Sequence, residues 1–227
     1  MSNSVTEAYV ETYERFSSWV ETLDEELLSA PVVACPGWSV KDLVGHVTGV
    51  AVDLHDEWAG VALSDSTARQ VEERRDKSIA EVLEEWSAAV PPLVELLEQA
   101  GSGLTAVAID VWTHEQDARN AVGQSGGRDG LGLAMALKAA IASDQAIQAV
   151  GLPPMQITTG DKTWYLGKEA RQVDAAVTLD VDPYEAARML MGRRTYDEMR
   201  AFDWQGDPEP YLTYLHRFTV PEQSLGE

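Results

Sequence analysis

The chain has 227 residues, 44% of them hydrophobic and 24% charged, which is typical of a soluble globular protein able to bury a core. Its formal net charge of −21 comes from 38 acidic against 17 basic residues, and such a surface disfavours nucleic-acid and membrane partners because it repels phosphate groups. The single cysteine, Cys35, cannot form an internal disulfide, and the sequence shows neither a signal peptide nor a membrane span. A reducing cytoplasm is therefore the expected location.

The first two thirds of the chain is predicted to be helical. Periodic apolar residues predict five helices, over residues 9–27, 39–54, 79–90, 104–123 and 131–150. Ser39 and Asp42 form a capping-box-like start of the second helix. Residues 64–78 are polar and are predicted to form a loop with a solvated helix start, and the third helix is expected to kink or restart at Pro91 and Pro92.

The pattern changes after Pro154. Residues 155–167 alternate between apolar and polar around a Gly-Asp pair, which predicts a β-hairpin, and residues 173–181 predict a third strand. Asp182 followed by Pro183 is a strong helix start. The sequence thus predicts an α+β fold, with an antiparallel four-helix bundle in residues 1–152 and a small α+β domain in residues 153–227.

A polar stripe runs along the predicted fourth helix. Asp110, His114 and Asp117 stand at i, i+4 and i+7 and therefore share one helix face, which Val107 and Ala121 continue on either side. The apolar neighbours indicate that this face points inward. Burying two carboxylates and an imidazole without partners costs several kcal/mol, and a bound metal is one reason for such a stripe.

His46 is the candidate third ligand, because it lies within the apolar stripe of the second helix. Two imidazoles and a carboxylate suit zinc and other divalent metals, and three protein ligands leave an open coordination position. Asp117 is placed to hold an imidazole N–H. The alternative is an ordinary hydrogen-bonded core histidine, since an Asp-x-x-x-His pair also arises by chance. Cys35 is expected to be a packed thiol without a role, and Trp38 to pack the turn onto the second helix.

Two segments resemble known motifs. The run PGWSVKDLVGHVTG, residues 36–49, resembles the PGW-(S/T)-V-x-D-L-x-x-H segment of the mycothiol-dependent maleylpyruvate isomerase family, which belongs to the DinB-like bundles. Residues 110–123 are similar to the second block of that family, E-x-x-x-H-x-x-D-x-x-x-A-x-G. The C-terminal run 177–207 resembles the smaller domain of the family, with Arg193 at the arginine of its "GR" pair.

The resemblance implies a metal-dependent enzyme with His46, Asp110 and His114 as ligands. Asp110 replaces the family's glutamate and is one methylene shorter, which would draw the ion toward its helix or weaken its binding. The implied cosubstrate is mycothiol, activated as a thiolate for transfer to, or isomerisation of, a small electrophile. Arg193 would hold a carboxylate of the substrate or the thiol; the alternative is an arginine at a helix C-terminus.

Two further functions remain open at this point. The same ligands would also serve a metal-dependent hydrolase, with water in place of the thiol, or a non-catalytic paralogue that binds a metal or ligand. The expected assembly is a monomer or a weak dimer, with no nucleic-acid or membrane partner.

Overall fold

The computed structural model describes residues 4–56, 63–167 and 175–227. They form two compact units, Met1–Gly132 and Leu133–Glu227. The first unit is helical and the second contains a small sheet, so the predicted α+β class is confirmed.

The described residues of the first unit contain six α-helices, and a seventh begins at the end of the unit. They are α1 Ser4–Val20, α2 Glu25–Leu28, α3 Val40–Asp56, α4 Leu63–Glu72, α5 Ile79–Ala100, α6 Thr105–Ala121 and α7 Gly130–Ala136. Helices α1, α3, α5 and α6 form a four-helix bundle, because α1 packs on α5 and α6 and α3 packs on the same two helices. Helix α4 packs against α3.

The core of this bundle is aromatic on one side. Trp86 is fully buried, its indole N–H donates to the hydroxyl of Tyr9 (3.0 Å), and its ring contacts those of Tyr13 and Phe16 edge-on. A buried indole N–H without an acceptor would cost free energy, so this hydrogen bond fixes the register of α1 against α5.

Three local predictions for this unit need correction. The first helix ends at Val20, and Asp24 caps a separate short helix, α2. Residues 63–72 form a helix, where a loop with only a solvated helix start was predicted over residues 64–78. Helix α5 does not restart at Pro91 and Pro92 but continues through them, because its buried stripe, which includes Leu93 and Leu97, outweighs the lost backbone donors; the predicted kink stays a prediction. The predicted cap of α3 is confirmed, since Ser39 and Asp42 exchange hydrogen bonds of 2.9 and 3.1 Å.

The second unit combines a four-stranded sheet with short helices. Its elements are α8 Ala140–Val150, β1 Met155–Thr159, β2 Lys162–Leu166, β3 Val177–Asp180, α9 Pro183–Leu190, α10 Tyr196–Arg200, β4 Asp203–Gln205 and α11 Glu209–Leu212. The strand order is β2-β1-β3-β4; β1 pairs antiparallel with β2 and parallel with β3. The hairpin is confirmed, and the part of the third predicted strand at 173–174 lies outside the described residues. Strand β4 was not predicted.

The division between the units differs from the predicted boundary at 152/153. Residues 133–152 belong to the sheet unit, because α8 packs against β2 and the Asp144 carboxylate accepts a hydrogen bond from the Gly167 N–H (2.7 Å). The alanine-rich periodicity of this stretch indicates a helix but does not show on which surface the helix packs. Among the described residues, none of the helices is both long and apolar enough to cross a membrane.

Candidate metal centre

His46 lies in the buried stripe of α3. Its neighbours along that stripe, Leu43, Val47 and Val50, are all buried, and His46 itself is 6% exposed. The imidazole therefore faces the interior of the bundle, as the spacing predicted. From α6, Asp110 and His114 face the same region.

The three predicted ligands come together. The Nε2 of His46 lies 3.8 Å from Oδ2 of Asp110, and the Nε2 of His114 lies 3.5 Å from Oδ1 of the same carboxylate. One ligand atom from each residue lies within 4.8 Å of the other two. The imidazole rings of the two histidines meet edge-on, with centroids 5.1 Å apart. Residues on two different helices thus direct two nitrogens and a carboxylate toward one point.

The other ring nitrogen of His46 is held by a residue that the sequence analysis missed. The Nε2 of Gln70, on α4, is 2.6 Å from Oδ2 of Asp53. An ionised carboxylate only accepts hydrogen bonds, so the amide NH₂ of Gln70 must face Asp53 and its Oε1 must face His46. Nδ1 of His46 therefore donates to Oε1 of Gln70 (2.8 Å), which leaves the lone pair of Nε2 directed at Asp110.

His114 is oriented in the same way from its own helix. Its Nδ1 lies 3.1 Å from Oδ2 of Asp117, whose side chain is fully buried, and the carboxylate can only accept this proton. In the neutral imidazole that binds a metal, this arrangement leaves the lone pair on Nε2 of His114. In the protonated imidazole that the neighbouring carboxylates favour, Nε2 carries a proton directed at Asp110. Holding the proton of Nδ1 is the role predicted for Asp117 on α6.

A tight loop before α3 covers the two histidines. Backbone hydrogen bonds join Val32 to Trp38 (2.8 Å) and Trp38 to Cys35 (3.0 Å), and Gly37 adopts φ +87°, a left-handed conformation that favours glycine. The ring of Trp38 lies 5.2 Å from that of His46 and 6.4 Å from that of His114, centroid to centroid. Trp38 therefore lies over the site as well as packing the turn.

Cys35 lies closer to the site than its sequence context indicated. Its Sγ is 4.0 Å from Nδ1 of His114 and 3.9 Å from Oδ2 of Asp117, so these three residues form a second group with metal-ligand spacing. The first group is the better candidate centre. There, both imidazoles give their Nδ1 proton to an oxygen acceptor, which is the usual arrangement around a metal-bound histidine.

Charge in the site is set by burial and by the carboxylates. Burial lowers the pKa of His46, although Asp110 opposes this effect. Burial also acts to lower the pKa of His114, but the negative charge of Asp110 and the hydrogen bonds to Asp110, Asp117 and Cys35 raise it well above its ordinary value. The site therefore favours a positive charge next to Asp110.

The donor set fits a divalent cation. The Nε2 atoms of His46 and His114 lie 3.8 and 3.5 Å from different oxygens of Asp110, and the lone pair of a neutral imidazole facing a carboxylate repels it. A cation or a proton between these atoms removes the repulsion. Three protein ligands of this kind leave one coordination position of the metal open for a further ligand. The side chain of Asp110 is 30% exposed, against 8% and 12% for those of His46 and His114, so the site opens to solvent beside Asp110.

Arg193 belongs to the second unit, and its contacts lie within that unit. Its side chain is buried, Nη1 donates to the carbonyl of Met191 (2.9 Å), and the guanidinium carbon lies 5.8 Å from the ring centroid of Phe218. These contacts place Arg193 just after the C-terminus of α9. Its predicted role in binding a carboxylate stays a prediction.

Residues 10–122 match the family described as the mycothiol maleylpyruvate isomerase N-terminal domain. The helical unit of the chain is therefore similar to the N-terminal domain of this family. The maleylpyruvate isomerase resemblance of the two sequence motifs is thereby confirmed.

Solved structures of the family have the same fold. A crystal structure of mycothiol-dependent maleylpyruvate isomerase aligns with a TM-score of 0.52 at 11% identity, over 85% of this chain and 92% of that chain. A histidine-to-alanine mutant of a mycothiol-dependent maleylpyruvate isomerase aligns with a TM-score of 0.53, also at 11% identity, over 87% of this chain and 94% of that chain. No curated protein sequence matches the chain.

Proposed function

We propose that this protein is a metal-dependent enzyme that activates a low-molecular-weight thiol for transfer to, or isomerisation of, a small electrophile. The observation that carries the proposal is the convergence of His46, Asp110 and His114, with the second nitrogen of each imidazole held by an oxygen acceptor. Zinc is the metal we propose, because imidazole and carboxylate are among its preferred ligands. Mycothiol is the thiol we propose, because the family and both solved relatives carry it in their names.

A divalent metal bound at these ligands would favour the thiolate over the thiol at neutral pH, which is the chemistry that the reaction requires. The protein orients the two imidazole ligands. Gln70 and Asp117 keep the Nδ1 protons in place, so both Nε2 atoms stay available as ligands. The ring of Trp38 lies beside both imidazoles, and the thiol and the electrophile would approach from the exposed side of Asp110.

Arg193 is proposed to bind a carboxylate of the thiol or of the electrophile, since a guanidinium recognises a carboxylate through two hydrogen bonds. An Arg193→Lys variant keeps the charge but loses this geometry. The variant is expected to raise KM for the carboxylate-bearing reactant when assayed well below its own unfolding midpoint, which itself falls because Arg193 is buried and hydrogen-bonded to Met191. A loss of thermal stability that accounts for the lost activity would instead assign Arg193 to the packing of the second unit.

The experiment that tests the function combines metal binding with thiol consumption. We expect purified protein to bind about one zinc ion per chain and a His46→Ala variant to lose this binding. His216→Ala is the matched control, because His216 hydrogen-bonds Tyr196 in the second unit and should leave zinc binding intact. With zinc bound, turnover of maleylpyruvate as a test electrophile should require mycothiol. Hydrolysis whose rate does not change when thiol is added would refute the proposal. A failure of His46, Asp110 and His114 to bind zinc would refute it as well. A reducing cytoplasm is the location that suits this chemistry.

A further inference from the structure

The single cysteine of the chain is held beside the candidate metal centre by its loop. The backbone N–H of Cys35 donates to the carbonyl of Val32 (3.0 Å), and the carbonyl of Cys35 accepts a hydrogen bond from the N–H of Trp38 (3.0 Å). The backbone of Cys35 is therefore fixed on both sides, while the residue is only partly buried. A thiol that is fixed in position and not enclosed is suited to binding a metal.

Three different ligand atoms meet at this thiol. Sγ of Cys35 lies 4.0 Å from Nδ1 of His114 and 3.9 Å from Oδ2 of Asp117, and these nitrogen and oxygen atoms lie 3.1 Å from each other. Around one zinc-sized ion with tetrahedral angles, a sulfur ligand lies ~3.6 Å from a nitrogen or oxygen ligand, and a nitrogen lies ~3.3 Å from an oxygen. The observed triangle differs from these separations by no more than about 0.4 Å, so small side-chain movements would close it around an ion.

One corner of this triangle is a buried carboxylate. The side chain of Asp117 is fully buried, and its Oδ2 accepts hydrogen bonds from Nδ1 of His114 and from the thiol of Cys35. A buried carboxylate is stabilised by hydrogen-bond donors or by a cation. A cation inside the triangle would take the place of the protons that lie between the three atoms. The thiol proton then passes to solvent, because the thiolate is the ligand, and the imidazole keeps a single proton, on Nε2.

The imidazole of His114 cannot serve both groups of ligands while it keeps this proton. A neutral imidazole has one nitrogen with a lone pair and one that carries a proton. When Nδ1 binds a metal, Nε2 therefore carries the proton and directs it at Oδ1 of Asp110, which lies 3.5 Å away. The first group then retains only His46 and Asp110 as ligands.

We propose that Cys35, His114 and Asp117 form a second metal site, which takes a thiophilic divalent cation and excludes a metal from the first group, His46, Asp110 and His114. Sulfur is a soft ligand that selects thiophilic metals, whereas the first group presents only nitrogen and oxygen. A thiophilic cation is thus directed to the thiol, and its binding removes one ligand from the centre beside it. The exclusion rests on the proposed function, because it assumes that the first group binds zinc. The second site itself does not.

The first test uses cadmium as the probe and removes the first group. A His46→Ala variant lacks a ligand of the first group and keeps all three of the second, so it should bind a single cadmium ion and show the ultraviolet charge-transfer absorption of a cadmium–thiolate bond. Adding Asp117→Asn should weaken cadmium binding about 10-fold or more, at least as much as loss of an oriented partner of a ligand. Glu115→Gln is the matched control, because Glu115 is a buried carboxylate of the same helix that pairs with Arg15 and Arg119. The control should keep its cadmium affinity.

The same experiment distinguishes a three-ligand site from a thiol acting alone. A cadmium affinity that is equal with and without Asp117→Asn would identify the thiol as the sole ligand and overturn the site. Absence of cadmium binding to the His46→Ala variant would also overturn it. Neither result depends on whether the first group binds zinc.

The second test uses the unmodified chain loaded with zinc. Cadmium should release zinc in step with the growth of the charge-transfer absorption, as measured by elemental analysis of the protein after gel filtration. The Cys35→Ala variant keeps the three ligands of the first group, so it should bind zinc and retain it at cadmium concentrations that empty the wild-type chain. Zinc that stays bound beside cadmium, or zinc that leaves the Cys35→Ala variant equally readily, would overturn the exclusion. A wild-type chain that does not bind zinc would refute the proposed function and the exclusion together, whereas the second site is decided by the first test.

Discussion

Replacing Gln70 by leucine should weaken metal binding without unfolding the bundle. In the wild-type chain, Asp53 fixes the orientation of the Gln70 amide, and the amide fixes the proton of His46 on Nδ1. Leucine keeps approximate volume but accepts no hydrogen bond, so the proton of His46 can move to Nε2 and face Asp110 instead. Metal binding then has to displace this proton. Loss of such an oriented partner costs about 10- to 100-fold in metal affinity, or about 1.4–2.8 kcal/mol.

The structure also indicates that the variant will fold. Asp53 keeps a second partner when Gln70 is removed, because Nη2 of Arg69 donates to the same oxygen (2.8 Å). The variant loses two hydrogen bonds, one of His46 and one of Asp53, or about 1 kcal/mol of folding free energy each, with an added cost if the N–H of His46 finds no other acceptor.

The assay is competition for zinc with a chromophoric chelator, combined with urea unfolding of the metal-free protein. Gln116→Leu is the matched control, because Gln116 is buried in the same unit but donates to the carbonyl of Gly127 (3.2 Å), away from the two histidines. The control should lose stability and keep its zinc affinity. A Gln70→Leu variant that folds and binds zinc within twofold of the wild-type affinity would refute the argument that Gln70 orients His46.

Three further predictions follow from other contacts. Gly49→Ala should weaken zinc binding by displacing Gln70, because the new Cβ of Ala would lie 2.5 Å from Cβ and Cγ of the Gln70 side chain. Gly103→Ala is the control: a Cβ at this position meets no atom within 4 Å, so zinc affinity should not change in the same titration. Asp110→Asn should lower zinc affinity more than Gln70→Leu, since it removes the one negative charge among the ligands, and equal affinities in the chelator assay would contradict this ranking. Burial acts to raise the pKa of Glu227, but the hydrogen bonds and charges of the buried Arg188 and Arg194 lower it overall from its ordinary value of 4.5; its contribution to stability is therefore full above pH 4.5 and is lost as the pH falls through the lower folded-state value. Denaturant unfolding should show the advantage of wild type over Glu227→Gln shrinking below pH 4.5, and an advantage that is independent of pH would contradict the ion pair.

Much of the fold could be predicted because its signals are local. The cap at Ser39 and Asp42, the hairpin of β1 and β2 and the start of α9 at Asp182 depend on residues within four positions of each other. Helix α4 could not be predicted in this way. Its sequence is polar, and its stability comes from packing on α3, where Gly49 allows a close approach. Strand β4 is only three residues long and depends on its pairing with β3, which is likewise not a local signal.

In the candidate site, too, the residues with a local sequence signal could be predicted and the others could not. Asp110, His114 and Asp117 share a helix face by their spacing alone, and the apolar neighbours of His46 showed that it points inward. Gln70 was missed because it lies on the unpredicted helix. Cys35 and Trp38 reach the histidines through a loop whose backbone hydrogen bonds have no sequence period. Ligands on regular helices were therefore predictable, whereas the residues that orient and cover them were not.

The shorter side chain of Asp110 does not prevent it from acting as a ligand. Atoms that bind one ion at about 2.0–2.1 Å with tetrahedral angles lie ~3.3 Å from each other. Oδ1 of Asp110 lies 3.5 Å from Nε2 of His114, Oδ2 lies 3.8 Å from Nε2 of His46, and one ligand atom from each residue lies within 4.8 Å of the other two. The three side chains therefore have to draw closer together to bind one ion, without a change of the helices that carry them. A glutamate would have to fold back to present its oxygens at the same point. Because Asp110 also forms the exposed side of the cluster, its length sets how much room remains for the thiol, and we expect Asp110→Glu to change KM for the thiol more than it changes zinc affinity. A variant that loses zinc while the remaining zinc-bound fraction keeps the wild-type KM would show that this reasoning is wrong.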